Sequence, residues 1–151
     1  MENKPESSSS GKSFTRYLPA FARVLMGLAF FLFGLNGFHP FIPQPKTPMP
    51  QDAVDFAMAL AKSGYMTQLV SGVQLLVGVL LLVNRFVPLA LALIAPIIVG
   101  IITFHIFLLP ATIGPGIVVL ALELYLAWAY RAAFSPMLAA RVKPSGSSQR
   151  T

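Results

Sequence analysis

Two stretches of this chain carry no full charge: 37 residues between Arg85 and Glu123, and 22 between Lys62 and Arg85. A helix crosses the hydrocarbon core of a bilayer with roughly 20 apolar residues, so the shorter stretch predicts one crossing, at about 65–83. The longer one exceeds a single helix, and Pro110-Ala-Thr-Ile-Gly114-Pro115-Gly116 supplies the break, because proline and glycine at this density end helices. It divides into crossings at about 87–109 and 116–134. Upstream, 17–38 is apolar apart from Arg23, which is expected to snorkel from near the helix end. The prediction is an all-α, four-span membrane domain over residues 16–138. Composition agrees: of 151 residues 56% are hydrophobic and 11% charged, against about a quarter charged in a soluble domain. A soluble enzyme, a disordered chain and an ordinary nucleic-acid-binding domain are thereby excluded. The absence of cysteine excludes thiol–disulfide exchange, iron–sulfur clusters and thiolate metal sites.

Four crossings place both tails on one side, together with Lys4, Lys12, Arg16, Arg23, Arg85, Arg131, Arg141, Lys143 and Arg150. Only Lys46 and Lys62 fall on the other. Positive residues are retained in the cytoplasm, so both termini are expected there and the protein in a cell inner membrane as a multi-pass protein. Ser-rich residues 1–15 and basic residues 139–151 read as disordered tails. A cleavable signal peptide is the lesser reading of the first span: its apolar region is too long, and Asn36-Gly-Phe-His39 lacks a small-residue cleavage site. Trp128, Tyr130, Tyr65 and Phe38 fit interface belts, and Arg131 a contact with anionic headgroups.

The external segment 39–64 starts with a strap containing Pro40, Pro43, Pro45, Pro48 and Pro50, stiff and extended. With Phe38, Phe41, Ile42 and Met49 it is apolar enough to lie across the outer mouth of the bundle. Asp52 reads as the N-cap of a short amphipathic helix, with Asp55 in its first turn and Gly64 as its stop, lying in the interface.

A polar side chain within a bilayer is costly and is a functional candidate by default. Here these are Asn36, Gln68, Gln74, His105 and Glu123, with Ser71 and Thr103 as minor members. At 1.5 Å per residue, His105 lies roughly 6 Å, Glu123 roughly 10 Å, and Gln68 and Gln74 roughly 5 and 14 Å below the outer boundary. Asn36 is near the outer end of span one, so all five fall in the outer half. Gly64, Gln68, Ser71, Gln74 and Gly78 share one helix face; so do Ala20, Gly27 and Gly34, and Gly116, Leu120, Glu123, Ala127 and Tyr130. Small and polar faces pack against protein, and short loops make the bundle up-down-up-down. Pro96 is expected to kink span three and free a carbonyl.

The expectation is a pocket under the strap with His105 and Glu123 facing each other, able to pass a proton or hydrogen-bond a quinone carbonyl. The competing reading has these groups fixing helix packing by interhelical hydrogen bonds. For His105 and Glu123 the two readings stand level; for Gln68, Gln74 and Asn36 packing is preferred. Haem held by His39 and His105 is disfavoured, the two being separated by a flexible strap. Zinc lacks the three or four ligands it needs. No Walker, Rossmann, zincin or nucleophile-elbow pattern occurs, and the positive charge needs no nucleic acid to explain it.

Phe33-Gly-Leu-Asn-Gly37, Ser63-Gly-Tyr65, Asn84-Arg-Phe-Val-Pro-Leu89, Phe104-His105, Leu122-Glu-Leu-Tyr125 and Ala129-Tyr-Arg131 resemble the DoxX family of small bacterial membrane proteins, over roughly residues 16–138. The resemblance implies a four-helix membrane protein. Some relatives are associated with quinone-linked sulfur oxidation or membrane oxidoreductase complexes, and many have no assigned activity. A site carried over would fall on Asn36, His105 and Glu123, and the lack of cysteine puts a thiol-based redox role in doubt. Two functions follow as expectations. One is a redox-associated subunit binding a quinone or similar apolar ligand, with the bilayer, a membrane oxidoreductase or a second copy as partner. The other is a non-catalytic component that stabilises or assembles a partner. Transport is the weaker reading, since four spans give a small pathway.

Overall fold

Helix α1 (Ser10–Phe38) and helix α3 (Met66–Leu82) make the most extensive contact in the computed structural model, which describes residues 10–43 and 48–139. Small residues drive it. A Cβ at Gly27 would sit 3.1 Å from side-chain atoms of Leu81 and Leu82, and one at Gly78 would sit 2.7 Å from Cα of Phe31. Rising numbers on α1 meet falling numbers on α3, so the pair is antiparallel. The seven-residue spacings of Gly27 to Gly34 and Ser71 to Gly78 keep the small residues on one seam over two turns each. Of the small face expected on span one, Gly27 and Gly34 are buried in this seam and Ala20 is exposed.

Helices α4 (Val87–Phe107) and α5 (Gly114–Ala129) complete a ring in which α1 and α4 each contact both α3 and α5. A 3₁₀ turn, Pro110–Thr112, joins α4 to α5, where the proline and glycine cluster was expected to break the stretch. Helix α2 (Gln51–Lys62) meets α3 at an 88° bend, and α5 bends by 74° into the four-residue α6 (Arg131–Phe134). The described residues contain no strand. Arg16–Phe38 and Val87–Phe107 are long and apolar enough to cross a membrane by themselves, and up to four spans result if each bent pair is one. The 17 residues of α3 rise about 25 Å, somewhat less than a hydrocarbon core of about 30 Å.

Four local expectations are corrected. The tail expected over 1–15 is helical from Ser10, because extending an established helix costs little once its apolar part is nucleated; residues 1–9 and 140–151 lie outside the described residues. The helix expected to run to 134 is bent at Tyr130, with α5 ending at Ala129: Arg131 lies over the Trp128 ring, 4.8 Å from its centroid, and donates to the Trp128 carbonyl at 3.1 Å. Asp52 is not the N-cap of α2. Pro50 holds that position, and Asp55 accepts a hydrogen bond from Gln51 at 2.8 Å. Arg23 does not snorkel. It is buried, 9% exposed, and its guanidinium donates to the carbonyls of Leu81 and Leu82.

That last contact finishes the cap of α3. Asn84, at φ 56°, adopts the left-handed conformation, with Asn84 N–H donating to Leu81 O at 3.2 Å and Arg85 N–H to Leu80 O at 3.0 Å. These are the two bonds of a Schellman motif, with asparagine where glycine is commonest. Arg23 then adds a cation at the negative end of the α3 dipole from a neighbouring helix. Gly64, after α2, has φ 79°, and a Cβ there would meet nothing within 4 Å. Gly64→Ala is therefore expected to lower stability by roughly 1 kcal/mol through backbone strain alone, and Gly64→Asn by less. Thermal unfolding in detergent measures both.

The largest fully buried side chains are Met26 and Phe30 of α1, Val77 and Leu81 of α3, Leu91, Ile94 and Ile98 of α4, and Leu126 of α5. All lie in the half of the bundle that carries the two termini, the tail end. Large branched side chains fill that half. The opposite half, the strap end, is closed by the proline strap and α2 and retains cavities.

Candidate functional site

His105 sits in the last turn of α4, at its strap end, half-buried. Its Nδ1 lies 2.7 Å from the Ile101 carbonyl oxygen. A carbonyl only accepts, so Nδ1 carries a proton, and in the neutral tautomer that makes this bond Nε2 is the acceptor. Nε2 has no hydrogen-bond partner among the described residues. The ring is held at a second point by Phe104, edge-on with centroids 5.4 Å apart, and Phe104 in turn contacts Phe56 of α2 at 5.7 Å. This aromatic chain ties α2 to α4.

Two cavities meet at His105. One, of about 620 Å³, lies under the strap between the end of α1 and the α4–α5 turn, lined by Asn36, Ile42, Pro43, Met49, His105 and Pro115 among others. The other, of about 540 Å³, is a groove between α3 and α4 beneath α2, reaching from His105 and Phe104 down to Gln74 and Pro96. No charged residue lines either among the described residues.

Asn36 has a structural task as well as a place in the first cavity. Its Oδ1 accepts from the backbone N–H of Phe41 at 2.9 Å and of Ile42 at 2.8 Å, folding the start of the strap back over α1. These bonds assign the carboxamide oxygen, leaving the Asn36 amide N–H groups without a partner among the described residues. The strap cavity thus offers one acceptor, His105 Nε2, and one donor, Asn36 Nδ2, on apolar walls.

The remaining candidates separate. Gln74 is half-buried in the groove, while Gln68 is exposed and lines neither cavity. Ser71 is buried against α1 at Gly34 and Gly37. Thr103 bonds back to the Val99 carbonyl, and His39 is exposed. Glu123 is buried, 7% exposed, with Oε2 lacking any hydrogen-bond partner among the described residues. Of the face expected for its helix, Gly116 and Glu123 are buried and Leu120, Ala127 and Tyr130 half-buried, while Leu126, outside that face, is buried too.

Glu123 does not face His105. A Cβ at Gly116 would lie 3.2 Å from Ile102 and 3.6 Å from Ile101, which sets the register of α5 on α4. From that contact, antiparallel helices carry His105 about 5 Å toward the strap end and Glu123 about 10 Å toward the tail end, a separation of about 15 Å along the bundle. The shared depth expected for the pair fails because the α4–α5 turn does not place the first turns of the two helices at one level. Comparison with protein-family models, curated proteins and solved structures finds no match.

Four residues that hydropathy and polarity do not single out as site residues shape the bundle, three toward the strap end and Arg23 at the tail end. Phe56 and Phe104 join α2 to α4, Gly100 forms part of the groove, and Arg23 caps α3. The signal for Arg23 was present, a lone cation among apolar residues, but its partner carbonyls become visible only once α1 and α3 are paired. For Gly100 the signal is a glycine within a helix with no small residue seven positions away.

Proposed function

We propose that this chain is a DoxX-like, multi-pass protein of the bacterial inner membrane, with both termini in the cytoplasm, that binds a quinone or similar neutral apolar ligand under the proline strap. As such it acts as a redox-associated subunit of a membrane oxidoreductase. The observation that carries this reading is the open Nε2 of His105, held in a fixed tautomer at the wall of an uncharged cavity. A quinone fits the available donor set: Asn36 Nδ2 donates to a carbonyl oxygen, and His105 Nε2 accepts from a hydroxyl of the reduced form. The group supplies two-electron redox chemistry when bound. The chain's own residues orient the head, exclude water with Ile42, Pro43 and Met49, and offer a hydrogen-bond acceptor at Nε2. The gathering of basic residues at the tail end supports the orientation, with the strap on the outer side.

The test is quinone extracted from the purified protein and quantified. With the pool kept reduced, His105→Ala is expected to lower the retained quinol roughly tenfold, the range for losing the hydrogen bond from its hydroxyl to Nε2. Glu123→Leu is expected to leave it unchanged. A wild-type protein that retains no quinone, or a His105→Ala variant that retains as much but melts earlier, overturns the reading in favour of a non-catalytic component that stabilises a partner.

A further inference from the structure

The groove between α3 and α4 contains a glycine with no packing reason to be one. At Gly27, Gly34, Gly78 and Gly116 a Cβ would meet neighbouring helices at 3.2 Å or closer. Gly100 lies well inside α4, and a Cβ there would meet nothing within 4 Å. Glycine weakens a helix relative to alanine, so its presence at this position is not explained by contacts within the chain. Gly100 lines the groove, with Val70 and Gln74 of α3 on one side, Pro96 and Ile97 below it, and Phe56 of α2 above. The missing side chain leaves the volume that something else fills.

Three features define that occupant. Apart from Gln74 and His105 the groove wall is apolar, so a hydrocarbon chain is its complement. Of its exposed residues, Gly100 and Pro96 lie on one of the two helices long and apolar enough to span a membrane, and Phe56 and Ala57 on α2. It is continuous through His105 with the strap cavity, and the described linings of both are uncharged and so complement a neutral head. From Phe104 to Pro96 the groove runs for about 12 Å along α4.

We propose that the groove holds the single hydrocarbon or isoprenoid chain of a neutral-headed membrane molecule, whose polar end lies at His105 under the strap. The position of the head rests on the function proposed above; the position of the chain rests on Gly100 and the groove alone. Helix α2, held to α4 through Phe56 and Phe104, roofs the chain where it leaves the head.

The test is isothermal titration of the full-length protein in detergent with three probes: a decyl-tailed benzoquinone, tail-less benzoquinone and decyl alcohol. The wild type is expected to bind the tailed quinone at least roughly tenfold more tightly than the tail-less one. Gly100→Leu puts a side chain into open space, so the fold is retained, as its thermal unfolding checks; it is expected to abolish that preference while leaving the tail-less quinone unaffected. Gly100→Ala is expected to give a smaller loss. If decyl alcohol binds as tightly as the tailed quinone and Gly100→Leu removes both, the chain site stands and the quinone head is overturned. A tail preference that survives both Gly100→Leu and Gly100→Phe overturns the proposal, as does failure of both tailed probes to bind. Co-purified phospholipid retained equally by the wild type and Gly100→Leu overturns it too.

Discussion

Gly34→Leu is expected to prevent α1 and α3 from closing and so to destroy the folded bundle. At Gly34 a Cβ would already lie 2.8 Å from Cα of Leu75 and 2.8 Å from the Ser71 carbonyl oxygen, with the Leu75 amide nitrogen closer still. These obstacles are backbone atoms of a neighbouring helix, so no rotamer change relieves them, and the helices must separate along the seam that also holds Gly27 and Gly78. Separation would strip dispersion contacts from Met26 and Phe30 and draw Arg23 away from the Leu81 carbonyl. The cost is about 4 kcal/mol or more, beyond ordinary overpacking because the clash is with main chain. Size-exclusion chromatography and thermal unfolding in detergent measure it. Gly100→Leu is the matched control, the same substitution within a helix but into open space, and is expected to elute and melt as the wild type does. A Gly34→Leu protein that remains monodisperse at the wild-type melting temperature would show that the α1–α3 seam is looser than these contacts require.

Glu123→Leu is expected to act in the opposite direction and raise stability, by roughly 1–3 kcal/mol. The carboxyl is 7% exposed, one turn from the fully buried Leu126, and Oε2 has no partner among the described residues. Leucine of similar size removes the unsatisfied oxygen and adds apolar contact to the core that Leu122 and Tyr125 already pad. Glu123→Gln keeps a polar group in the same place and is expected to give little or no gain, so the pair separates loss of the polar group from loss of shape. A higher melting temperature for Glu123→Leu alone is the expected result. A lower one, shared by both variants, would mean that the carboxylate has a partner that the chain by itself does not supply. Retaining an unsatisfied acid at the centre of a bundle against a gain of this size is the pattern of a group kept for a task other than stability.

Much of the architecture was legible in the residues. Charge-free stretches interrupted at Lys62, Arg85 and Pro110–Gly116 marked the helices, because polarity and helix-breaking chemistry act over one or two turns and leave a local trace. The small face of α1, the inward face of α5 and the stop at Gly64 were legible for the same reason: 100° per residue converts spacing directly into direction. Helix ends were less so. The bend at Tyr130 depends on Arg131 folding onto Trp128, and the start of α1 at Ser10 on a helix extending past its apolar part; neither is visible in hydropathy.

The sequence by itself determined that the chain is helical, that small residues line one helix face, and that His105 and Asn36 are polar groups near the same helix ends. Only the tertiary structure decided which of the polar groups share a site. His105 meets Asn36 in one cavity and Gln74 in another, Gln68 faces outward, Arg23 caps a neighbouring helix, and Glu123 lies about 15 Å from His105 along the bundle at 1.5 Å per residue. Depth counted from a helix end carries the uncertainty of that end, whereas the register between two helices is set by where their side chains and backbones collide. At Gly34, Gly78 and Gly116 those collisions are with residues of another helix, and no local pattern encodes them.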